Sequence, residues 1–192
     1  MKLSILIALS LLWSNHFLPA QPIVKIGGSE NPMLSERQVI WYLDQLNIQE
    51  NIHLTVIYTP IIPEGFDGLT VCRNVLEKDG YQIIMVRINQ DLSERQKKTV
   101  LAHEMIHVKQ YAKGEIKLLE PNTVVWLGKR RQLTNIYHRG PWEKEAYRGD
   151  RILAVQFQQR PVLNLAKLKD QTDSLITYRS NRSTWSIPDW QE

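Results

Sequence analysis

His103-Glu104-Met105-Ile106-His107 is the stretch that decides how the rest of this chain is interpreted. On an α-helix, residues four positions apart project from the same face, so both imidazoles can reach one ion while Glu104 lies beside them. Two histidines with an adjacent carboxylate are residue types that hold zinc and activate a water molecule. The spacing therefore predicts a zinc site, with His103 and His107 as ligands and Glu104 as general base.

The residues around this motif predict a long, buried helix. Apolar side chains surround the two histidines, at Val100, Leu101, Ala102, Met105, Ile106 and Val108. Ser93 followed by Gln96 is typical of a capping box at a helix start, and Gly114 is typical of the position just past a helix end. A buried histidine needs a partner for its ring nitrogens, and a metal ion is a suitable one. The helix is expected over about residues 93–113.

Residues 100–108 resemble the active-site motif of the zincin metallopeptidases. Lys109 departs from that pattern, since the family usually has an apolar residue there. The resemblance implies an α+β fold, in which a small twisted sheet packs on the active-site helix and a second helix supplies the third ligand. It also implies hydrolysis of peptide bonds in a peptide or protein substrate. No third histidine follows at the metzincin spacing, so the remaining ligand is expected further along the chain.

A second predicted helix, from Gly140-Pro141 to about residue 157, offers two candidates for the third ligand. Proline is favoured at the first position of a helix, and a carboxylate in the first turn can face the first helix. In several gluzincin families, which the chain resembles here, the ligand glutamate stands three residues before an alanine, as Glu143 does before Ala146. Glu145 is the rival, because in the thermolysin-like branch the ligand directly precedes an alanine.

Four further residues are candidates for hydrogen bonds around the site. Tyr147 and Asp150 would share the helix face of Glu143, which favours Glu143 as the ligand over its rival. Asp150 is a candidate to orient one histidine through its second ring nitrogen. Tyr147, Tyr137 and His138 are candidate donors to the oxyanion that develops during amide hydrolysis.

The remaining sequence predicts one more helix and several strands. Ser35 and Gln38 are typical of a capping box, which would open a helix running to about residue 48. Strands are expected at residues 52–58, 69–76, 81–88, 123–127 and 131–136. Hairpin turns are expected at Lys78-Asp79-Gly80 and around Gly128-Lys129. An extended substrate would pair with an exposed sheet edge, for which we expect residues 81–88.

Composition limits the classes of partner and of covalent chemistry. The net charge of +4 is modest, and Lys129-Arg130-Arg131 is the only tight basic cluster. This cluster lacks interleaved aromatic residues, so we expect it to form the tip or arm of a hairpin and expect no nucleic-acid partner. The lone Cys72 cannot form an internal disulfide. We expect it to be a small buried residue of a strand.

The sequence predicts three segments with different fates. Residues 1–20 resemble a secretory signal, with Lys2 before an apolar run at residues 3–13 and a candidate cleavage site after Ala20. The protein is therefore expected to be secreted or periplasmic, and contact with a membrane is expected only if this segment stays uncleaved. Residues 21–170 would form the zincin-like domain. Residues 171–192, which include Trp185 and Trp190, would form a C-terminal tail.

Two alternative functions stay open at the level of sequence. A secreted protein can keep a zincin scaffold as a binding module without turnover, because a ligand set alone does not show catalysis. A hydrolase acting on amides of the cell envelope is the second alternative, since the same metal chemistry attacks any amide.

Overall fold

A computed structural model describes residues 22–76, 80–119, 123–132 and 140–159 of the 192-residue chain. The predicted signal and tail, together with Tyr137 and His138, lie outside the described residues. The fold is α+β, as predicted, and the described residues form three helices and two small sheets. The strands are β1 (Ile23–Gly27), β2 (Ile52–Thr59), β3 (Gly68–Leu76), β4 (Gln82–Asn89), β5 (Ile116–Leu119), β6 (Thr123–Trp126) and β7 (Lys129–Gln132), and the helices are α1 (Pro32–Gln45), α2 (Glu94–Ala112) and α3 (Pro141–Gln158).

The larger sheet has the strand order β1-β2-β4-β3. Strands β1, β2 and β4 are parallel, and β3 runs antiparallel to β4, so the predicted pairing of β3 and β4 is confirmed. Lys78 and Asp79 of the predicted turn lie outside the described residues. One face of the sheet is apolar and packs on the helices, and it contains the fully buried residues Ile52, Leu54, Val56, Ile84, Val86 and Ile88. The strand β1 was not predicted from the sequence.

The expected sheet edge was assigned to the wrong strand. Strand β4 lies between β2 and β3, so its backbone is paired on both sides and cannot accept a further strand. Among the described residues, the edge beside α2 is instead β3.

Cys72 is buried in β3, where its sulfur lies 2.9 Å from the side-chain amide nitrogen of Gln82. Burial raises the pKa of the Cys72 thiol to about 11, which agrees with the predicted structural role.

Helix α2 begins and ends as predicted. The Ser93 hydroxyl accepts from the backbone N–H of Gln96, and the Gln96 side chain accepts in return from the backbone N–H of Ser93, which is a complete capping box. Gly114 follows the helix with φ +65°, a conformation that glycine adopts without strain. Two local signals that agree with each other therefore fix the position of the metal-binding motif along this helix.

Helix α1 begins earlier than predicted. Asn31 is the N-cap, its side chain accepts from a backbone N–H of the first turn, and Pro32 follows at the first helical position. The predicted capping box of Ser35 and Gln38 is therefore wrong, because both residues already lie inside the helix. Ser35 is buried, and its hydroxyl lies 2.7 Å from that of Ser29. An N-cap at Asn31 followed by proline is more favourable than the predicted N-cap at Ser35, four residues downstream.

Helix α3 begins at Pro141, after Gly140, as predicted. It packs closely on α2 because small residues face the contact. Ala146 is fully buried, and a β-carbon placed on Gly149 would lie only 2.7 Å from Cδ1 of Ile106. Because the two helices lie close together, the carboxylate of Glu143 in the first turn of α3 can reach the histidines of α2.

The smaller sheet has the order β5-β6-β7, and β5 was not predicted. The predicted hairpin of β6 and β7 is confirmed, but its turn is Leu127-Gly128, where both residues have positive φ. Lys129-Arg130-Arg131 consequently lies in the exposed strand β7, the arm of the hairpin. Residues 133–136 of the predicted second strand lie outside the described residues. Within the described parts of the chain, no helix is long and apolar enough to span a membrane.

Candidate metal centre

His103, His107 and Glu143 converge on one point between α2 and α3. The two histidines lie one turn apart on the inner face of α2, and Glu143 lies in the first turn of α3. Nε2 of His103 lies 3.2 Å from Nε2 of His107 and 3.3 Å from Oε2 of Glu143. Nε2 of His107 lies 3.4 Å from Oε1 of Glu143. These three residues can hold a metal ion.

The spacing of these atoms suits a shared metal ion. Two donor atoms bonded to one zinc ion at about 2.0–2.1 Å along tetrahedral directions lie about 3.3 Å apart. The two Nε2 atoms lie 3.2 Å apart, close to that value, and Glu143 places one oxygen beside each imidazole, Oε2 at 3.3 Å from His103 and Oε1 at 3.4 Å from His107. Glu143 and His107 are nearly completely buried, with 6% and 7% of their surface exposed. Imidazole nitrogens and a carboxylate that are buried together are more typical of a metal centre than of a solvated helix surface.

The second ring nitrogen of each histidine also has a partner. Nδ1 of His103 lies 3.3 Å from Oδ2 of Asp150, so Asp150 lies where the sequence predicts it. Nδ1 of His107 lies 2.8 Å from Oε1 of Gln110, a contact that sequence reasoning missed. Partners of this kind fix the orientation of a ligating imidazole. Both rings therefore present Nε2 to Glu143. The sequence signal for the contact of Gln110 with His107 was their spacing of three residues on one helix.

The rival third ligand, Glu145, faces a different set of partners. One oxygen of its carboxylate lies 2.6 Å from Nζ of Lys109, and the other lies 3.1 Å from the amide nitrogen of Gln110. Lys109 also lies 3.2 Å from Oε2 of Glu115. The structure thus brings Glu143 and not Glu145 to the histidines. Lys109 therefore pairs with this second carboxylate of α3 away from the two imidazoles.

Glu104 points into the same site and is buried, with 5% of its surface exposed. The hydroxyl of Thr70 in β3 donates to Oε2 of Glu104 over 2.6 Å. Gly68 leaves room for this carboxylate, since a β-carbon there would lie 2.7 Å from Oε1 of Glu104. Neither contact was found from the sequence, because Gly68 and Thr70 lie more than 30 residues before Glu104 and show no local sign of the contact.

Burial sets the pKa of the Glu104 carboxyl above its usual range. The charge on His107 and the hydrogen bond from Thr70 act in the opposite direction, but desolvation of the carboxylate dominates. A carboxyl with a raised pKa holds a proton more strongly, so it is better suited to take a proton from water than an exposed glutamate.

The charges of His107 and Glu143 shift each other's pKa. Burial acts to raise the pKa of Glu143, but the hydrogen bonds and charges of His103 and His107 outweigh it and lower this pKa to about 2. Burial acts to lower the pKa of His107, but Glu143, Glu104 and the Gln110 amide outweigh it and raise this pKa above 6.5. Glu143 is therefore ionised at neutral pH and could offer a metal ion an anionic donor.

An open cleft of about 850 Å³ leads to the site, between β3, α2 and α3. Tyr147 lies on its wall, 60% exposed, with its ring centroid 4.6 Å from that of His103. Phe66 and Arg151 also line the cleft, and both are exposed. Tyr147 thus lies at the site, where its ring contacts that of His103 on the wall of the cleft.

Thr70→Val is expected to lower kcat/KM about 10- to 100-fold in a catalytic assay, because a hydrogen bond to a charged group contributes about 1.5–3 kcal/mol. The acidic limb of the pH–rate profile should move to higher pH, since the lost donor favoured the ionised form of Glu104. Thr55→Val, on the opposite face of the sheet, is the matched control and should change neither quantity. An unchanged pH profile for Thr70→Val would show that the hydrogen bond from Thr70 does not affect the group that titrates on the acidic limb.

No protein-family model, curated protein or solved structure matches this chain. Two imidazoles and one buried carboxylate surround a common point, a second buried carboxylate lies beside them, and a cleft opens onto all four.

Proposed function

We propose that this chain is a zinc-dependent metallopeptidase that resembles the gluzincins. The observation that carries the proposal is the convergence of His103, His107 and Glu143 at mutual distances of 3.2–3.4 Å, with Glu104 buried beside them. Nitrogen and carboxylate donors in this number suit zinc, and catalytic zinc sites use three protein ligands with one open position. The open cleft supports a catalytic centre, because a structural zinc site is usually closed by a fourth protein ligand.

The proposed chemistry divides the work between the metal ion and the chain. Zinc bound at this site would supply a Lewis acid, which lowers the pKa of water and polarises the scissile carbonyl. Glu104 takes a proton from the attacking water molecule and passes it to the leaving amine. Thr70 holds the Glu104 carboxylate in place through its hydrogen bond. Tyr147, on the wall of the cleft beside His103, would donate a hydrogen bond to the oxyanion that forms at the carbonyl.

A peptide substrate would bind along β3. This strand is the sheet edge beside α2 within the described residues, and it begins at Gly68, next to Glu104. An edge strand offers unpaired backbone N–H and C=O groups, which an extended peptide can pair with. The cleft follows the same edge and includes Leu69 and Thr70. Pairing with β3 would bring a main-chain carbonyl of the substrate to the three ligands.

Zinc content and peptide hydrolysis together test this proposal. The purified chain should bind one zinc ion and cleave members of a mixed library of quenched fluorescent peptides. A chelator should abolish cleavage, and added zinc should restore it. Stoichiometric zinc binding with no cleavage of any peptide would favour the binding module without turnover. Release of amines from cell-wall amides alone would favour the cell-envelope amide hydrolase.

The stabilisation of the fold by zinc is expected to grow as the pH rises. The pKa of His107 is raised above 6.5 in the metal-free fold, so its protonated form contributes stability below pH 6.5, and this contribution is lost as the pH rises through the raised pKa. Zinc requires the neutral imidazole, so protons and zinc compete for this site. The increase in Tm on adding zinc should therefore be larger at about pH 8 than at about pH 5.5.

Differential scanning fluorimetry with and without zinc measures this difference. A His107→Asn variant should show little zinc-dependent change in Tm at either pH. A zinc effect on Tm that is the same at both pH values would contradict the assignment of His107 as a ligand.

A further inference from the structure

We propose that Gln110 is a positioning residue, which fixes the tautomer of His107 and ties this histidine to the helix that carries Glu143. The inference rests on the metal site of the proposed function. Gln110 is fully buried in α2. Its side-chain oxygen lies 2.8 Å from Nδ1 of His107, and its amide nitrogen lies 3.0 Å from the main-chain oxygen of Trp142 and 3.1 Å from Oε2 of Glu145.

The surroundings permit one orientation of the Gln110 amide. The main-chain oxygen of Trp142 only accepts hydrogen bonds, and so does the Glu145 carboxylate, whose other oxygen is held 2.6 Å from Nζ of Lys109. Two acceptors on one side require the NH₂ group there, so the amide oxygen faces His107. That oxygen needs a donor, and Nδ1 of the neutral ring therefore carries the proton. Nε2 keeps its lone pair and faces the point that His103, His107 and Glu143 share.

The same amide connects the two ligand helices. Trp142 immediately precedes Glu143, so the bond from Gln110 to the main chain of Trp142 fixes where α3 starts relative to α2. A single side chain thereby positions two of the three ligands. Lys109 completes the arrangement, because it holds Glu145 as an acceptor for Gln110 and away from the metal site. The lysine that departs from the zincin pattern thus supports the site indirectly.

The tautomer is measured directly in the metal-free protein. Long-range ¹H–¹⁵N spectra of the imidazole nitrogens, recorded at a pH at which the rings are neutral, distinguish protonated from unprotonated nitrogens. A His107→Asn variant assigns the signals. We expect a protonated Nδ1 and an unprotonated Nε2 for His107. A proton on Nε2 in the wild-type protein would overturn the proposal without the need for any Gln110 variant to fold.

Zinc affinity tests the consequence. Gln110→Met keeps the length of the side chain and removes both hydrogen-bonding groups, so the proton of His107 should shift toward Nε2 and the zinc affinity should fall about 10- to 100-fold. Gln38→Met is the matched control, because it removes another buried amide, whose nitrogen donates to the Tyr42 hydroxyl over 2.8 Å. The control should bind zinc as the wild type does.

Gln110→Glu separates positioning from packing. It keeps the size of the side chain but places a carboxylate oxygen against the main-chain oxygen of Trp142 and the carboxylate of Glu145, which both only accept hydrogen bonds. The zinc affinity of this variant should therefore fall as well, although its side chain fills the same space. Wild-type zinc affinity in a folded Gln110→Met would overturn the proposal.

These measurements use no substrate, so they are independent of turnover. A chain that cleaves no peptide, yet shows the expected tautomer and the dependence of zinc affinity on Gln110, would refute the proposed peptidase and support the positioning role. Peptide cleavage with a proton on Nε2 of His107 would support the proposed peptidase and refute the positioning role of Gln110.

Discussion

Glu104→Gln is expected to lower kcat by a factor of roughly 100 to 10,000 while leaving zinc bound, because it removes the group that accepts a proton from water. The amide has the same shape as the carboxylate, and it can keep a hydrogen bond with Thr70, which lies 2.6 Å from Oε2 in the wild type. Initial rates on a cleaved peptide, together with zinc content by mass spectrometry, measure the two quantities separately. A neutral amide cannot serve as a base, so the loss should persist at every pH.

Glu94→Gln is the matched control for this substitution. Glu94 lies on the same helix, but its side chain is 69% exposed and pairs with Lys97 over 3.1 Å, away from the site. Its activity should stay within about twofold of the wild type, as for most exposed surface changes. Full activity in Glu104→Gln would exclude Glu104 as the base, and loss of zinc from that variant would mean that Glu104 acts on the metal rather than on water.

The metal-binding helix could be predicted because its signals are local. The helical spacing of His103 and His107 puts them on one face, and the capping box at Ser93 sets where the helix begins. The start of α1 was misplaced for a related reason, since two caps compete there and the sequence does not show which one the chain uses. Asn31 with a following proline is the stronger of the two.

Non-local pairing was less predictable. The sequence shows β3 and β4 as a hairpin, but it does not state which of them pairs with β2. The nearly continuous apolar run Ile83-Ile84-Met85-Val86 is a sign of a central strand, whereas Thr70 and Arg73 suit an edge. The contact of Thr70 with Glu104 has no sequence sign at all, because it arises only when β3 packs against α2.

The choice between Glu143 and Glu145 illustrates the same limit. Both lie in the first two turns of one helix, and both have a precedent in the zincin pattern. Helix geometry alone favoured Glu143, through the face that it shares with Tyr147 and Asp150. In the structure the deciding contact is the pair of Glu145 with Lys109 on the other helix. A residue that weakened the family resemblance thus separates the two candidate ligands.

The substitutions Glu143→Gln and Glu145→Gln are expected to have very different effects on zinc binding. Glu143→Gln replaces an anionic ligand by a neutral amide, and it should lower the zinc affinity by about 100-fold or more, since even partners behind the ligands contribute 10- to 100-fold. Glu145→Gln changes a carboxylate whose oxygens lie against Lys109 and Gln110, and it should cost less than about tenfold. Competition with a chelator of known affinity measures both constants.

The pair is informative because the two residues are chemically identical and two positions apart. Any general effect of losing a carboxylate from the start of α3, through the helix dipole or net charge, is shared by both variants and cancels in the comparison. Peptide cleavage at limiting zinc should follow the same order as affinity. Zinc loss in Glu145→Gln, with wild-type affinity in Glu143→Gln, would assign the ligand to the thermolysin-like position. It would also require α3 to sit on α2 in a different register from the one that places Glu143 between the two imidazoles.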